Sequence, residues 1–83
     1  MNSVATLPIA LTSLSNGQTA RFHEARLDSQ SVGLLRALGL SETQPFRICK
    51  VGEPCILQVE GTRIGVSRVV ARNLYVIPDT RAV

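Results

Sequence analysis

The stretch PFRICKVGEPCILQVEGTRIGV, residues 45–66, decides the fold. Its apolar residues recur at every second position: Phe46 and Ile48, then Leu57 and Val59, then Ile64 and Val66. A period of two puts those side chains on one face and the polar residues between them on the other. Three antiparallel strands around a common core are therefore expected. Gly52-Glu53-Pro54 breaks the first strand from the second. Gly61-Thr62 is expected as a two-residue hairpin loop, with the glycine supplying the positive φ that the first position of a type II′ turn requires. Downstream, Val69-Val70-Ala71 is too short for a helix of its own and fits a single 3₁₀ turn, after which Leu74 to Ile77 reads as a last strand ended by Pro78.

Upstream of this block the period changes. Asp28 or Ser29 can cap a helix whose Val32, Leu35 and Leu38, with Leu34 beside them, repeat at spacings of three and four. Gly39 ends that helix in the left-handed conformation, and Leu40 can fold back onto it. Gly33, costly inside a helix, suggests the close approach of a neighbouring backbone. Before the helix, Thr19 to Leu27 alternates in part and reads as a first strand with one wet face. Leu11 and Leu14, three apart and followed by Ser15-Asn16-Gly17, fit one tight turn that docks two leucines. Residues 1–6 and 79–83 are expected to be loose ends.

Five short strands with one helix inserted after the first cannot form a two-layer sandwich in 83 residues, but they can close into a small barrel. The same length allows one domain over 1–83, with its core at about 8–78, and excludes a two-lobed enzyme with a cleft. A hydrophobic fraction of 45% with 18% charged residues excludes disorder over most of the chain.

The net charge is +3, and eight of the nine basic residues are arginine. They are scattered without a run and only 4% of residues are aromatic, which argues against a nucleic-acid partner. The longest apolar run, Leu74 to Ile77, is far too short to cross a bilayer, so no membrane insertion is expected. The first basic residue is Arg21, so the start lacks the charged region of a secretory signal, and a cytoplasmic location follows as the expectation. Two cysteines are too few for a disulfide framework and lack the paired spacing of a zinc ribbon, so reduced thiols are expected.

Chemistry-bearing residues are sparse. One histidine with no orienting third group makes Cys-His catalysis improbable, and the six glycines form no phosphate-cradling loop, so no enzyme activity is expected. His23 and Glu24 face opposite sides of an alternating strand and cannot share a metal. His23 could join Cys49 or Cys55 in a zinc or ferrous site if the fold brought them together, although a partly exposed strand histidine is the plainer reading. By phase Cys55 belongs with the core, while Cys49 reaches toward the surface. No cofactor is required, and a weak or adventitious zinc or ferrous ion at His23 and Cys49 stays open. Leu34 and Leu40 need not both fit so small a core, so the helix end with Arg36 is expected to present an apolar spot rimmed by positive charge, a surface suited to a protein partner.

Taken in order, the helix end Leu34-Leu35-Arg36-Ala37-Leu38-Gly39-Leu40, the Gly52-Glu53-Pro54 turn, the Val59-Glu60-Gly61-Thr62-Arg63-Ile64 hairpin and the Ala71-Arg72-Asn73-Leu74-Tyr75-Val76 ending resemble the FeoA family of ferrous-iron-transport accessory proteins. The resemblance covers about residues 8–78. It departs from the family where Ser41-Glu42-Thr43-Gln44-Pro45 replaces a frequent Pro-Gly pair, and where Ser67-Arg68 keeps only the arginine of a frequent Leu-Arg pair. It implies an SH3-like barrel that serves FeoB, a membrane transporter with a cytoplasmic GTP-binding domain. Under that implication Arg36, Arg47 or Arg68 could reach the partner's nucleotide as an arginine finger. The alternative is a regulatory barrel similar to the C-terminal domain of metal-dependent repressors related to the diphtheria toxin regulator, binding a protein partner or metal. A homodimer stays open under either.

Overall fold

The computed structural model describes residues 7–79. One six-stranded antiparallel sheet dominates, in the order β1-β6-β2-β3-β4-β5. The strands are β1 (Ile9–Ala10), β2 (Thr19–Ala25), β3 (Pro45–Lys50), β4 (Cys55–Val59), β5 (Thr62–Val66) and β6 (Leu74–Pro78). A 3₁₀ turn (Leu11–Ser13) follows β1, helix α1 (Ser29–Ala37) joins β2 to β3, and helix α2 (Arg68–Arg72) joins β5 to β6. The expected period of two holds: Phe46, Ile48, Leu57, Val59, Ile64 and Val66 are all buried. Together with Leu11, Leu14, Ala20, Phe22, Leu35, Leu40, Cys55, Ala71, Leu74 and Val76 they form one core. No polar or charged residue is buried among the described residues.

Several expectations need correction. There are six strands, not five, because Ile9 and Ala10 pair with Val76 and Tyr75. Two residues are too few to show a period. The strand hydrogen bonds place β1 and β5 at the two ends of the order, so the sheet is not a ring closed by pairing all the way round. The hairpin loop is Glu60-Gly61 rather than Gly61-Thr62, since Val59 pairs with Thr62. Both loop residues have positive φ, 50° and 83°, which is the type I′ combination. A left-handed Glu60 costs about 1–2 kcal/mol, a cost the hairpin register tolerates. The segment at Val69-Val70-Ala71 is α-helical, because the Ala71 N–H donates to the Ser67 carbonyl at 2.8 Å, four residues back. Ser67 caps it by accepting from the Val70 N–H at 3.2 Å, and Glu53 accepts from the Arg68 N–H at 2.7 Å. A Cβ on Gly33 would meet nothing within 4 Å, so no backbone approaches it closely. Asp79 is tied down, its N–H donating to the Thr19 carbonyl at 2.9 Å. The other expected loose ends, 1–6 and 80–83, lie outside the described residues.

The end of α1 determines which leucines enter the core. Gly39 has φ 112°, its N–H donates to the Arg36 carbonyl at 3.0 Å, and the Leu40 N–H donates to the Leu35 carbonyl at 3.2 Å. This is the Schellman pattern, in which the residue after the glycine folds back on the last turn. Leu40 is accordingly 1% exposed, next to a core that includes Leu35. The surface role expected for Leu40 is excluded by that burial. Leu38, expected on the core stripe, is instead 44% exposed. Beyond the turn, Glu42 pairs with Arg36, Nη2 to Oε2 at 3.3 Å and Nη1 to Oε1 at 3.4 Å. The Arg36 guanidinium also sits 5.7 Å from the centre of the Phe22 ring. Glu42 titrates below its ordinary value of 4.5, first because of its own backbone N–H and then because of Arg36.

Two outcomes follow for solution work. Leu40→Ala should lower the unfolding free energy by about 2–5 kcal/mol in urea titrations, whereas Leu34→Gln should stay within about 0.5 kcal/mol. Comparable losses would mean that the assignment of core and surface leucines is wrong. By carboxyl NMR, the Glu42 midpoint should lie below 4.5 and rise only part of the way in Arg36→Gln, because the larger cause is Glu42's own main chain. A depressed carboxylate adds stability that is complete above 4.5 and lost as pH falls through the lower folded midpoint, so the Glu42 contribution should fade only in acid.

Candidate functional site

Because the Gly39 reversal commits Leu35 and Leu40 to the core, the remaining leucines of α1 are left outside. Leu34 is 64% exposed, and with Leu38 four residues later it shares one face of the helix. Across from this face runs the junction of β5 and α2. Between them lies a groove of about 170 Å³ lined by Ser31, Leu34, Leu38, Val66, Ser67 and Val70. The lining is mostly apolar, with the two serine hydroxyls as its polar marks. Ser31 Oγ donates to Asp28 Oδ1 at 2.6 Å, which holds that carboxyl below its ordinary value and fixes the start of the helix. Val69, on α2, adds a further exposed apolar side chain beside Val70.

Leu34 is therefore where it was expected, at the surface of the helix. Leu38 and the half-buried Val70 were missed as surface groups, Leu38 because its spacing is that of core residues, while Val66, buried as expected, forms the floor of the groove. The surplus of leucines in so short a helix was the available signal. Arg36 is on α1, but its guanidinium is already held by Glu42 and Phe22. Arg68 follows the groove residue Ser67 directly; its main-chain N–H is bound to Glu53, and its side chain is exposed. Arg47 lies on the outer face of β3, opposite Thr19 and Gln58, and does not join the groove.

The two metal candidates are not brought together. Thr19 pairs with Arg47, so His23 lies four residues along β2 in one direction and Cys49 two residues along β3 in the other. At about 3.3 Å per residue, that separates them by roughly 20 Å. Each is the extra residue of a β-bulge, His23 between Phe22 and Glu24 and Cys49 between Ile48 and Lys50. The bulge also corrects the reading of Glu24, which is exposed along with His23 because the extra residue resets the alternation. Cys55 is buried, with Sγ donating to the Gly52 carbonyl at 3.3 Å, while half-buried Cys49 has Sγ 3.8 Å from Gln58 Oε1. Both cysteines are free thiols. No cluster of three or more His, Cys, Asp or Glu that could hold a metal occurs among the described residues.

No helix among the described residues is long and apolar enough to cross a membrane. Comparison with curated proteins finds no match. Solved structures do match in fold. The crystal structure of an iron uptake regulatory protein (FeoA) superposes with a TM-score of 0.77 at 16% identity, over 88% of this chain and 99% of that one. The solution structure of FeoA protein from Chlorobium tepidum gives 0.77 at 19% identity, over 84% and 70% of the two chains. T. acidophilum IdeR gives 0.79 at 23% identity over 94% of this chain, which spans only 37% of that protein. At such identities these likenesses establish a shared fold, the SH3-like one expected from the sequence. The family assignment comes from the sequence profile of the FeoA domain, which matches residues 9–78. With that match running from the first strand to the last, the chain belongs to the FeoA domain family.

Proposed function

We propose that this chain is a cytoplasmic, non-catalytic accessory protein of ferrous iron uptake, which docks on the GTP-binding domain of a FeoB-like membrane transporter and modulates it. The observation that carries the docking role is the groove between α1 and the β5–α2 junction, with Leu34 and Leu38 exposed on one helix face. Burying two exposed leucines is worth about 1.5–3 kcal/mol each before the cost of association, enough to make them the anchors of a modest interface. Membership of the FeoA domain family supplies the link to ferrous iron transport.

Within this reading the arginines are not equivalent. A finger must bring an uncommitted guanidinium to the partner's nucleotide. Arg36 would first have to leave Glu42 and Phe22, and Arg47 lies on another face. Arg68, beside the groove and outside both ion pairs, is the better candidate.

A second reading, a regulatory module acting on a DNA-binding or metal-sensing partner, is favoured by the fold likeness to T. acidophilum IdeR and to a manganese-dependent transcriptional repressor. The chain spans 37% and 44% of those proteins, so it would need its partner to supply what the rest of their chains contain.

Pull-down of the transporter's GTP-binding domain distinguishes the two. Leu34→Gln and Leu38→Gln should each weaken capture at least about tenfold while circular dichroism stays unchanged, since a tenfold loss corresponds to about 1.4 kcal/mol of interface. Leu7→Gln, at another exposed leucine, should leave capture intact. Equal capture by all three would remove the groove from the interface, and no capture by the unmodified chain would favour the second reading. Turnover of GTP by the captured domain should rise on adding this chain, and Arg68→Ala should abolish the rise without abolishing capture. A rise that survives the substitution rejects Arg68 as the finger.

A further inference from the structure

The arginines are scattered in the sequence, but the strand register gathers three of them on the outer face of the sheet. Thr19 pairs with Arg47, Arg47 with Gln58, and Gln58 with Arg63, so these four residues form one row across β2, β3, β4 and β5. Their strand neighbours Ala20, Phe46, Ile48, Leu57, Val59 and Ile64 are buried, so the row itself points outward. Arg47 and Arg63 stand either side of Gln58, about 10 Å apart at roughly 4.8 Å per strand. Arg21, two residues from Thr19 on β2 and opposite Pro45, adds a third cation to the same face. A concavity of about 230 Å³ opens there, lined by Thr19, Pro45, Phe46, Arg47, Gln58, Glu60 and Gly61.

Among the described residues, none of these arginines takes part in an ion pair; the pairs there join Arg26 to Glu24 and Arg36 to Glu42. The acidic groups near the row stand at its margins: Glu60 in the β4–β5 turn, and Asp79, within 3.4 Å of the Thr19 hydroxyl. Gln58 Oε1 accepts from the Cys49 thiol at 3.8 Å, and among the described residues no hydrogen bond uses its amide N–H groups, which stay available as donors. A strand face with three uncompensated cations carries a repulsive cost in the isolated domain, and an anionic occupant reverses it.

The geometry points to this row as a docking site for an acidic segment of a protein partner, its carboxylates received by Arg47 and Arg63, with Gln58 as the donor between. Planar guanidinium forks match carboxylates bidentately. A nucleic acid is disfavoured because the face exposes no aromatic ring for stacking bases: Phe46 borders the concavity but is only 2% exposed, Phe22 is buried, and the Tyr75 ring is covered by Arg26 at 4.7 Å. The site lies on a different face from the groove of α1 and does not rest on the groove's role.

The test is an amide NMR titration of the full chain with an octaglutamate peptide at low salt. The peptide should shift the amides of Arg47, Gln58 and Arg63, and the double variant Arg47→Gln/Arg63→Gln should bind at least about tenfold more weakly, as expected for the loss of two charge-assisted contacts. The double variant Arg26→Gln/Arg72→Gln, which removes the same charge elsewhere, should bind within about twofold of the unmodified chain. Equal weakening by both pairs would mean a general response to net charge and would overturn the site. So would shifts that avoid the row, or tighter binding of oligothymidylate or inorganic phosphate than of the peptide.

Discussion

A single sheet has one inner face to fill, and the volume behind it limits how many apolar side chains this chain can bury. Sixteen of the described residues occupy that volume, with no charged or polar side chain among them. Every other feature follows from what fits there and what does not. The Gly39 reversal draws Leu40 inward against Leu35, and once that volume is filled Leu34 and Leu38 have no place left behind the sheet. An apolar groove on a domain this small is therefore the residue of a packing decision made at the helix end. Leucine rather than a polar residue at those two positions is what calls for a functional account, because surface apolar groups that are paired and lie along a groove differ from singly scattered ones.

The parts legible in the sequence were those set by short-range periodicity. Strands β3, β4 and β5 repeat at two, and a core face follows from that at once. The glycine stop of α1 was legible for the same reason, since one residue with positive φ has few uses just past a helix. What escaped depended on counting across strands. The hairpin loop moved by one residue because Glu60 accepts a left-handed conformation that its side chain does not advertise, and pairing of Val59 with Thr62 outweighs that local cost. Strand β1 escaped because two residues carry no period. The bulges at His23 and Cys49 escaped because an extra residue leaves no mark on composition and yet reverses the phase of everything after it.

The same distinction explains how the site residues fared. Leu34 could be placed from helix geometry alone. Leu38 and Leu40 exchanged roles because the spacing of a helical stripe cannot say where the chain turns back on itself. His23 and Cys49 looked compatible as ligands by chemical type, but the β2–β3 register puts them at opposite ends of the ladder. Residue type establishes what a side chain can do, whereas register establishes what it can do it with.

The arginines make that last point most sharply. Read along the chain, positions 21, 47 and 63 are unrelated, and their dispersion argued against any concentrated positive surface. Antiparallel pairing converts sequence distance into lateral proximity, so cations separated by sixteen or more positions come to stand within about 10 Å of the next one on the same sheet face. Charge clustering is therefore a property of the sheet and not of the sequence. Its physical consequence is directional: the helix side offers apolar area and the sheet side offers unneutralised charge. A partner that used both faces would have to wrap the domain, whereas two partners, or two segments of one partner, could occupy them without competing. Under the two proposals, the apolar face would set affinity through burial that salt does not weaken, and the charged face would act through a field that salt screens within about 10 Å. Ionic strength thus separates the two contributions in a single binding measurement.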